Sequence, residues 1–254
     1  MLKRTFLVIL TVTLGFSLAS CNVLGIFIKT VEGSGELTVE KRELPTFNAI
    51  EASGEFELFI TQLDDGIEVH AESNLMKYVR TYVENQVLVV EIADTDGSSI
   101  ILHPLEPIQV YVNLAQIESI TLSGGVEMTS SQLLAEDANL ELAFSGGSVG
   151  SVNAIRTGDL RINLSGGSEL QVVDGQVREQ SIQASGASIY TADWLKSDTT
   201  EIQLSGGSEA TIWAVEAFNV DLTGGSLAYY YGSPIQLNEV RSSGGSDYIS
   251  RGEH

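Results

Sequence analysis

Through most of the second half of the chain, apolar and polar positions alternate with period two, and a glycine pair interrupts the alternation at nearly constant intervals. Ser-Gly-Gly or a close variant begins at Ser123, Ser145, Ser165, Ser185, Ser205, Thr223 and Ser243, at spacings of 22, 20, 20, 20, 18 and 20 residues. The fourth copy reads Ser185-Gly186-Ala187 and the sixth Thr223-Gly224-Gly225. Three residues ahead of each copy stand Ile120, Leu142, Ile162, Ile182, Ile202, Val220 and Val240. One residue ahead stand Leu122, Phe144, Leu164, Ala184, Leu204, Leu222 and Ser242. The residues between these columns, such as Thr121, Asn163, Gln183 and Asp221, are mostly polar. This is the signature of a strand with one buried face, and no helical period competes with it.

A second alternating stretch follows each motif, as in Leu170-Gln171-Val172 and Ala210-Thr211-Ile212. Each repeat therefore predicts two short strands around a glycine corner, because glycine reaches backbone angles that a sharp corner needs. A unit of about 20 residues cannot bury its own apolar face and must stack on its neighbours. Seven coils at about 4.8 Å each make a rod roughly 30 Å long. The residue after each triplet is Val126, then Ser148, Ser168, Ser188, Ser208, Ser226 and Ser246. A small side chain filling a tight corner accounts for this column better than a hydroxyl ladder.

Residues 31–115 are β-rich but less periodic. Phe56–Ile60 and Val87–Ile92 read as strands, Asn74–Val79 as a short helix, and Ser53-Gly54 as a degenerate early copy of the turn. This region either shields the first coil or forms an irregular half of the same solenoid. The polar C-terminal copy, with Ser242 at an otherwise apolar position, suits a terminal coil that must blunt its open edge.

The N-terminus supplies an address. Lys3 and Arg4 precede an apolar run from Thr5 to Ala19 that ends in Leu18-Ala19-Ser20-Cys21. A basic start and a short apolar run are the pattern of a secretory leader. The run is shorter than the roughly 20 residues a spanning helix needs. Its end resembles the bacterial lipobox, in which cleavage precedes a lipid-modified cysteine, here Cys21. Several acyl chains on that residue would give stable anchoring. Asp after the cysteine favours inner-membrane retention in enteric-type sorting, so Asn22 points to the outer membrane, with the face undetermined. The expected organisation is a leader over 1–20, a lipidated N-terminus and tether over 21–43, an irregular β-rich part over 44–115 and a regular solenoid over 116–254. Cys21 is the only cysteine, so no intrachain disulfide forms.

A hydrophobic fraction of 43% and 25 glycines fit a turn-rich globular body. The formal net charge is −21, and loss of Lys3 and Arg4 with the leader takes it to −23. Such a body repels nucleic acid and anionic lipid headgroups, so a nucleic-acid partner is not expected.

Phe47-Asn48-Ala49-Ile50 with Gly54, then Ile67–Glu72 with Asn74-Leu75, then the recurring Leu-Ser-Gly-Gly turns, together resemble the head GIN domain family of auto-transporter adhesins, common among Bacteroidetes-type lipoproteins. The resemblance spans roughly residues 44–250. It implies an all-β protein with a right-handed parallel β-helix in the cell envelope, and an adhesive role. It carries no family catalytic residues.

Four residues after each motif start stand Glu127, Val149, Glu169, Ile189, Glu209, Leu227 and Asp247. Carboxylates in this column lie two coils apart, roughly 10 Å. That is marginal for an inverting glycosidase, whose carboxyls stand about 6.5–9.5 Å apart. It is too far for one shared calcium ion, whose oxygens lie about 2.3–2.6 Å from the metal. Limiting repulsion on a solvated face explains the column more simply. Tyr229-Tyr230-Tyr231 is the densest aromatic run, and Trp194 and Trp213 fall on corresponding sides of adjacent coils. These aromatics either stack sugars or fill the core and its corners. His70, His103 and His254 lack metal-ligand spacing, and neither a phosphate loop nor a nucleophile elbow is present. No metal or cofactor is expected. The reading is a non-catalytic envelope lipoprotein, held to the membrane by its lipid, with an adhesin-like or scaffolding body that meets a glycan or a cell-surface protein. The alternatives are a polysaccharide-binding or polysaccharide-active β-helix, which would draw on Arg156, Arg161, Arg178, Lys196 and Arg241, and a self-assembling structural element.

Overall fold

Each Ser-Gly-Gly triplet turns the chain back onto the coil before it. The computed structural model describes residues 29–61, 66–114 and 116–253. Cys21 and His254 lie outside the described residues, as does the whole leader. Strands β1 (Lys29–Glu32), β2 (Leu37–Arg42), β3 (Ala49–Gly54), β4 (Glu57–Thr61) and β5 (Gly66–Glu72) lead into a short 3-10 helix at Met76–Tyr78. Strands β6 (Val79–Glu84), β7 (Val87–Ile92), β8 (Ile100–His103) and β9 (Gln109–Asn113) follow. The repeat then runs through β10 (Ser119–Gly124), β11 (Glu127–Ser130), β12 (Leu133–Phe144), β13 (Val149–Leu164), β14 (Glu169–Ala184) and β15 (Ile189–Leu204). It ends with β16 (Glu209–Leu222), β17 (Leu227–Tyr231), β18 (Gln236–Ser242) and β19 (Asp247–Gly252). Coil pairs with coil in parallel throughout, so the repeat is a parallel β-solenoid.

The two apolar columns face inward as expected: Ile120, Leu142, Ile162, Ile182 and Ile202 are wholly buried. The expectation of two short strands per repeat is corrected, because β13, β14 and β15 each run unbroken for 16 residues. The chain still turns, by slipping phase. Along β13 the buried positions are Gly150, Val152, Ile155, Thr157, Leu160, Ile162 and Leu164. The steps from 152 to 155 and from 157 to 160 each place two successive residues outside. The strand bends there while its hydrogen bonds to the next coil continue. With the glycine turn, each coil has three corners and three inward runs.

The serine column proves to be a turn device, neither a ladder nor a mere filler. Ser148, Ser168, Ser188, Ser208 and Ser226 are buried, and each hydroxyl donates to the carbonyl of the first residue of its own triplet at 2.6 to 2.9 Å. Each bond satisfies a polar group that the turn would otherwise bury unpaired. In the final, largely exposed coil Ser246 acts differently, accepting from the N–H groups of Gly225 and Ser226.

The N-terminal region shields the first coil and also extends the solenoid. Strands β3 and β4 form a coil in register with β10 and β11, pairing Ser53-Gly54 with Ser123-Gly124. The degenerate early copy of the turn is therefore real. On the other side of this coil lie β7 and β9, again parallel. The stack thus grows in both directions from β3 and β4. Its N-terminal end is closed by antiparallel strands: β6 on β7, β5 on β9 and β2 on β5. Pairing the edge in this way removes an exposed ladder of N–H and C=O groups. Arg42 fastens β2 to β6, donating to the Val79 carbonyl at 2.7 Å and the Thr81 hydroxyl at 3.0 Å.

A tether over 21–43 is not what the structure has at 29–43, since β1 and β2 are built into the body. Strand β1 pairs with β8. The link between β1 and β2 closes over Glu72, a fully buried carboxylate that accepts N–H groups of Gly35, Leu105 (2.5 Å) and Glu106 (3.4 Å). A Cβ on Gly33 would stand 2.2 Å from this carboxylate. Asn74 grips the same link, donating to the Glu32 carbonyl at 2.8 Å and accepting from the Ser34 N–H at 3.0 Å. The N–H of Gly35, ahead of burial and with the other donors in support, holds the Glu72 carboxyl below the usual carboxylate range. A lowered folded-state pKa gives stability that is full above the unfolded value, about 4.3, and is lost as pH falls through the folded one. Hydrogen-exchange protection at residues 33–36, taken relative to the intrinsic rate at each pH, should therefore fall on acidification below about pH 4. Glu72→Gln should flatten that dependence; unchanged acid sensitivity in the variant would refute the assignment.

Candidate functional site

The surface that remains for function is the set of outward columns. The acidic column is in register across the stack, pairing Glu127 with Val149, Val149 with Glu169, Glu169 with Ile189 and Ile189 with Glu209. It continues through Leu227 to Asp247. Glu127, Glu169 and Asp247 are exposed and Glu209 is half-buried. The column also extends past Glu127 to Glu57, a direct neighbour that takes a 2.8 Å hydrogen bond from Gln109. The repeat arithmetic missed Glu57, because six strands, β5 to β10, intervene between its strand β4 and β11. Glu169 and Glu209 remain two strand spacings apart, roughly 10 Å, with Ile189 between them. Among the described residues no group of three or more His, Cys, Asp or Glu is placed to hold a metal ion. Along the repeat the column presents carboxylates two coils apart, while Glu57 and Glu127 stand directly adjacent on neighbouring strands.

Beside the glycine turns runs a shallow groove of about 560 Å³ lined by Thr121, Asn163, Gln183, Gln203 and Asp221. Asn163 donates to Glu141 at 3.1 Å and Gln203 to Glu201 at 2.9 Å. A second groove, of about 770 Å³, lies where the chain around β8 crosses the first coils. Phe56, Ile101, Leu105 and Ile108 line it, with Glu57 and Glu127 alongside. Of the histidines, His70 contacts Glu68 at 2.6 Å and packs on Tyr111, while His103 contributes its backbone carbonyl to Gly33. His70, ahead of burial, holds the Glu68 carboxyl below its ordinary range.

The tyrosine run is divided by its strand. Tyr229 faces outward with the Arg251 guanidinium 4.0 Å from its ring centre. Tyr230 packs against the core, its ring 5.1 Å from that of Phe218. That contact removes Tyr230 from any outward site. Tyr231 stands at a corner in register with Trp213. Trp194 is half exposed, and its ring centre lies 5.9 Å from that of Trp213 at an interplanar angle of 54°. Lys196 sits 4.5 Å above the Trp213 ring. The two tryptophans do meet across adjacent coils. Lys196 as their neighbour was hidden by the shortened 18-residue repeat, which shifts the register at this corner from Ala192↔Ile212 to Lys196↔Trp213.

A capped parallel solenoid with flat polar flanks and glycine-turn columns is the architecture of an adhesin-like head domain. The family described as "Putative auto-transporter adhesin, head GIN domain" matches residues 46–234, and the chain belongs to it. Among solved structures it resembles a putative adhesin from Bacteroides fragilis, at 16% identity over 88% of this chain and 99% of that one, with a TM-score of 0.73. A putative lipid binding protein from Parabacteroides distasonis is 18% identical over 87% of this chain and 100% of that one, with a TM-score of 0.66. A putative adhesin from Parabacteroides merdae is 19% identical over 88% of this chain and 97% of that one, with a TM-score of 0.64. At these identities the likeness speaks to fold. Among curated proteins none matches. Membership of an adhesin-like family suggests an exported protein of the cell envelope. Among the described residues no helix is long and apolar enough to cross a membrane.

Proposed function

We propose that the chain is a lipoprotein of the outer membrane, anchored through Cys21, whose solenoid is a non-catalytic adhesive body. The observation that carries this reading is the polarity of the stack. The N-terminal end of the stack is closed by β2, β5 and β6 and clamped by Glu72, and the long flanks stand free as in-register outward columns. A body built this way presents surface instead of enclosing a reaction. The leader pattern ending at Cys21 supports export and lipidation, and the family supports adhesion.

The experiment is metabolic labelling with a palmitate analogue, followed by protease treatment of intact cells. Wild type should be labelled, sediment with outer membranes and be cleaved from outside. Cys21→Ser should lose the label and the membrane association. An unlabelled wild-type protein would overturn the anchor. A labelled protein that intact cells shield from protease would overturn the adhesive role.

A further inference from the structure

We propose that the outward row Arg156–Gln176–Lys196–Trp213–Tyr231, with Trp194 beside it, is a binding site for a carboxylate-bearing glycan. The five residues of the row are paired one to the next on five successive coils. They form a strip roughly 20 Å long at the spacing of neighbouring strands. One side chain per coil suits an extended polymer better than a globular partner.

The charge of the strip names the ligand. In a chain of net charge −21, none of its five members is acidic. Of the other cations of the repeat, Arg178 pairs with Asp159 and Arg241 lies 3.9 Å from Asp221, while Arg161 is in register with Glu141 and Arg251 sits over the Tyr229 ring. Among the described residues neither Arg156 nor Lys196 takes part in a salt bridge, and both are exposed. Two cations held two coils apart, on an otherwise acidic body, mark a place for an anion.

The aromatic end of the strip makes that anion a sugar acid. A half-exposed indole offers a flat apolar face, and the C–H face of a pyranose ring is its complement. Trp194 gives such a face, set at 54° to the Trp213 ring, over which Lys196 stands. A ring stacked there brings a carboxylate within reach of the ammonium, and a charge-assisted contact is among the stronger polar interactions. Towards Arg156 the strip opens into a depression of about 420 Å³ lined by Arg156, Thr157, Asp174, Gly175 and Gln176. The amide of Gln176 and the carboxylate of Asp174 there suit sugar hydroxyls. Free phosphate would not use the indoles, and the acidic flanks repel a polyanion of higher charge density such as nucleic acid.

The inference gives the adhesive flank a ligand class and rests on that reading only for its biological setting. Its test uses the purified protein. Tryptophan fluorescence is followed on titration with polygalacturonate, alginate, hyaluronan and a sialylated glycoprotein, with methyl-esterified polygalacturonate as the uncharged control. At least one carboxylated glycan should perturb the fluorescence, more weakly at high salt. The double variant Arg156→Gln with Lys196→Gln, and separately Trp194→Ala, should each weaken binding by about tenfold or more at unchanged melting temperature. No response to any carboxylated probe overturns the proposal. So does equal binding of the esterified control, or full affinity in Trp194→Ala. None of these outcomes touches labelling or protease accessibility, so the envelope reading stands or falls separately.

Discussion

Gly146→Ala is expected to destabilise the protein by about 3–4 kcal/mol, combining left-handed strain with overpacking, whereas Gly207→Ala should cost only the strain, about 1–2 kcal/mol. Both glycines have positive φ, +76° and +80°. The difference lies above and below them. A Cβ on Gly146 would stand 2.8 Å from the carbonyl oxygen and 2.9 Å from the nitrogen of Gly124 on the neighbouring coil. Those are backbone atoms held in a hydrogen-bonded stack and cannot step aside. A Cβ on Gly207 meets nothing within 4 Å. The chain shows the same tolerance at the second glycine position, where Ala187 adopts φ +69° in the Ser-Gly-Ala turn. The first glycine thus sets how closely coils approach, and the second serves only the turn. Urea unfolding of the two variants checks this. Equal losses would mean that turn conformation alone explains the motif.

That division of labour shows how far the sequence can be read. The triplet spacing and two apolar columns define the coil, its inward face and its stacking, because every coil repeats the same local solution. The corners inside β13, β14 and β15 leave a fainter mark, a slip from period two to a step of three between Val152 and Ile155. The reversal that places β7 beneath β3 and β9 beneath β4 leaves no periodic trace, since it depends on long-range pairing such as Ala49↔Val87. Glu72 reads as one more alternating residue of Ile67–Glu72, and only the fold shows it buried under Gly33 and Gly35. The candidate site is split in the same way. The acidic column is visible in the sequence because it follows the motif count. The strip from Arg156 to Tyr231 crosses the 18-residue repeat, where counting from the motif no longer finds the neighbour.

The same packing logic makes a stronger prediction inside the core. On either side of each glycine turn two inward residues flank the corner; Leu122 with Met128 and Leu164 with Leu170 are both large, and at four other turns the sizes trade off. Ala184 stands with Tyr190, Leu204 with Ala210, Leu222 with Ala228 and Phe144 with Gly150, all buried. A Cβ on Gly150 would be 2.3 Å from Cε2 of Phe144, so the phenyl ring occupies the space that the glycine leaves. Phe144→Ala should cost about 4 kcal/mol through lost burial and the cavity left behind. Gly150→Leu alone should be at least as damaging, since neither Phe144 nor Leu170, whose Cδ1 is 3.1 Å from the same point, has room to yield. The double variant Phe144→Ala with Gly150→Leu recreates the order of sizes seen at Ala184 and Tyr190. It should recover about 2 kcal/mol or more relative to the sum of the single changes. Additive losses in chemical denaturation would show that each coil packs its corner independently of residue size across the turn. Recovery would establish the turn as the point where one inward run fits itself to the next.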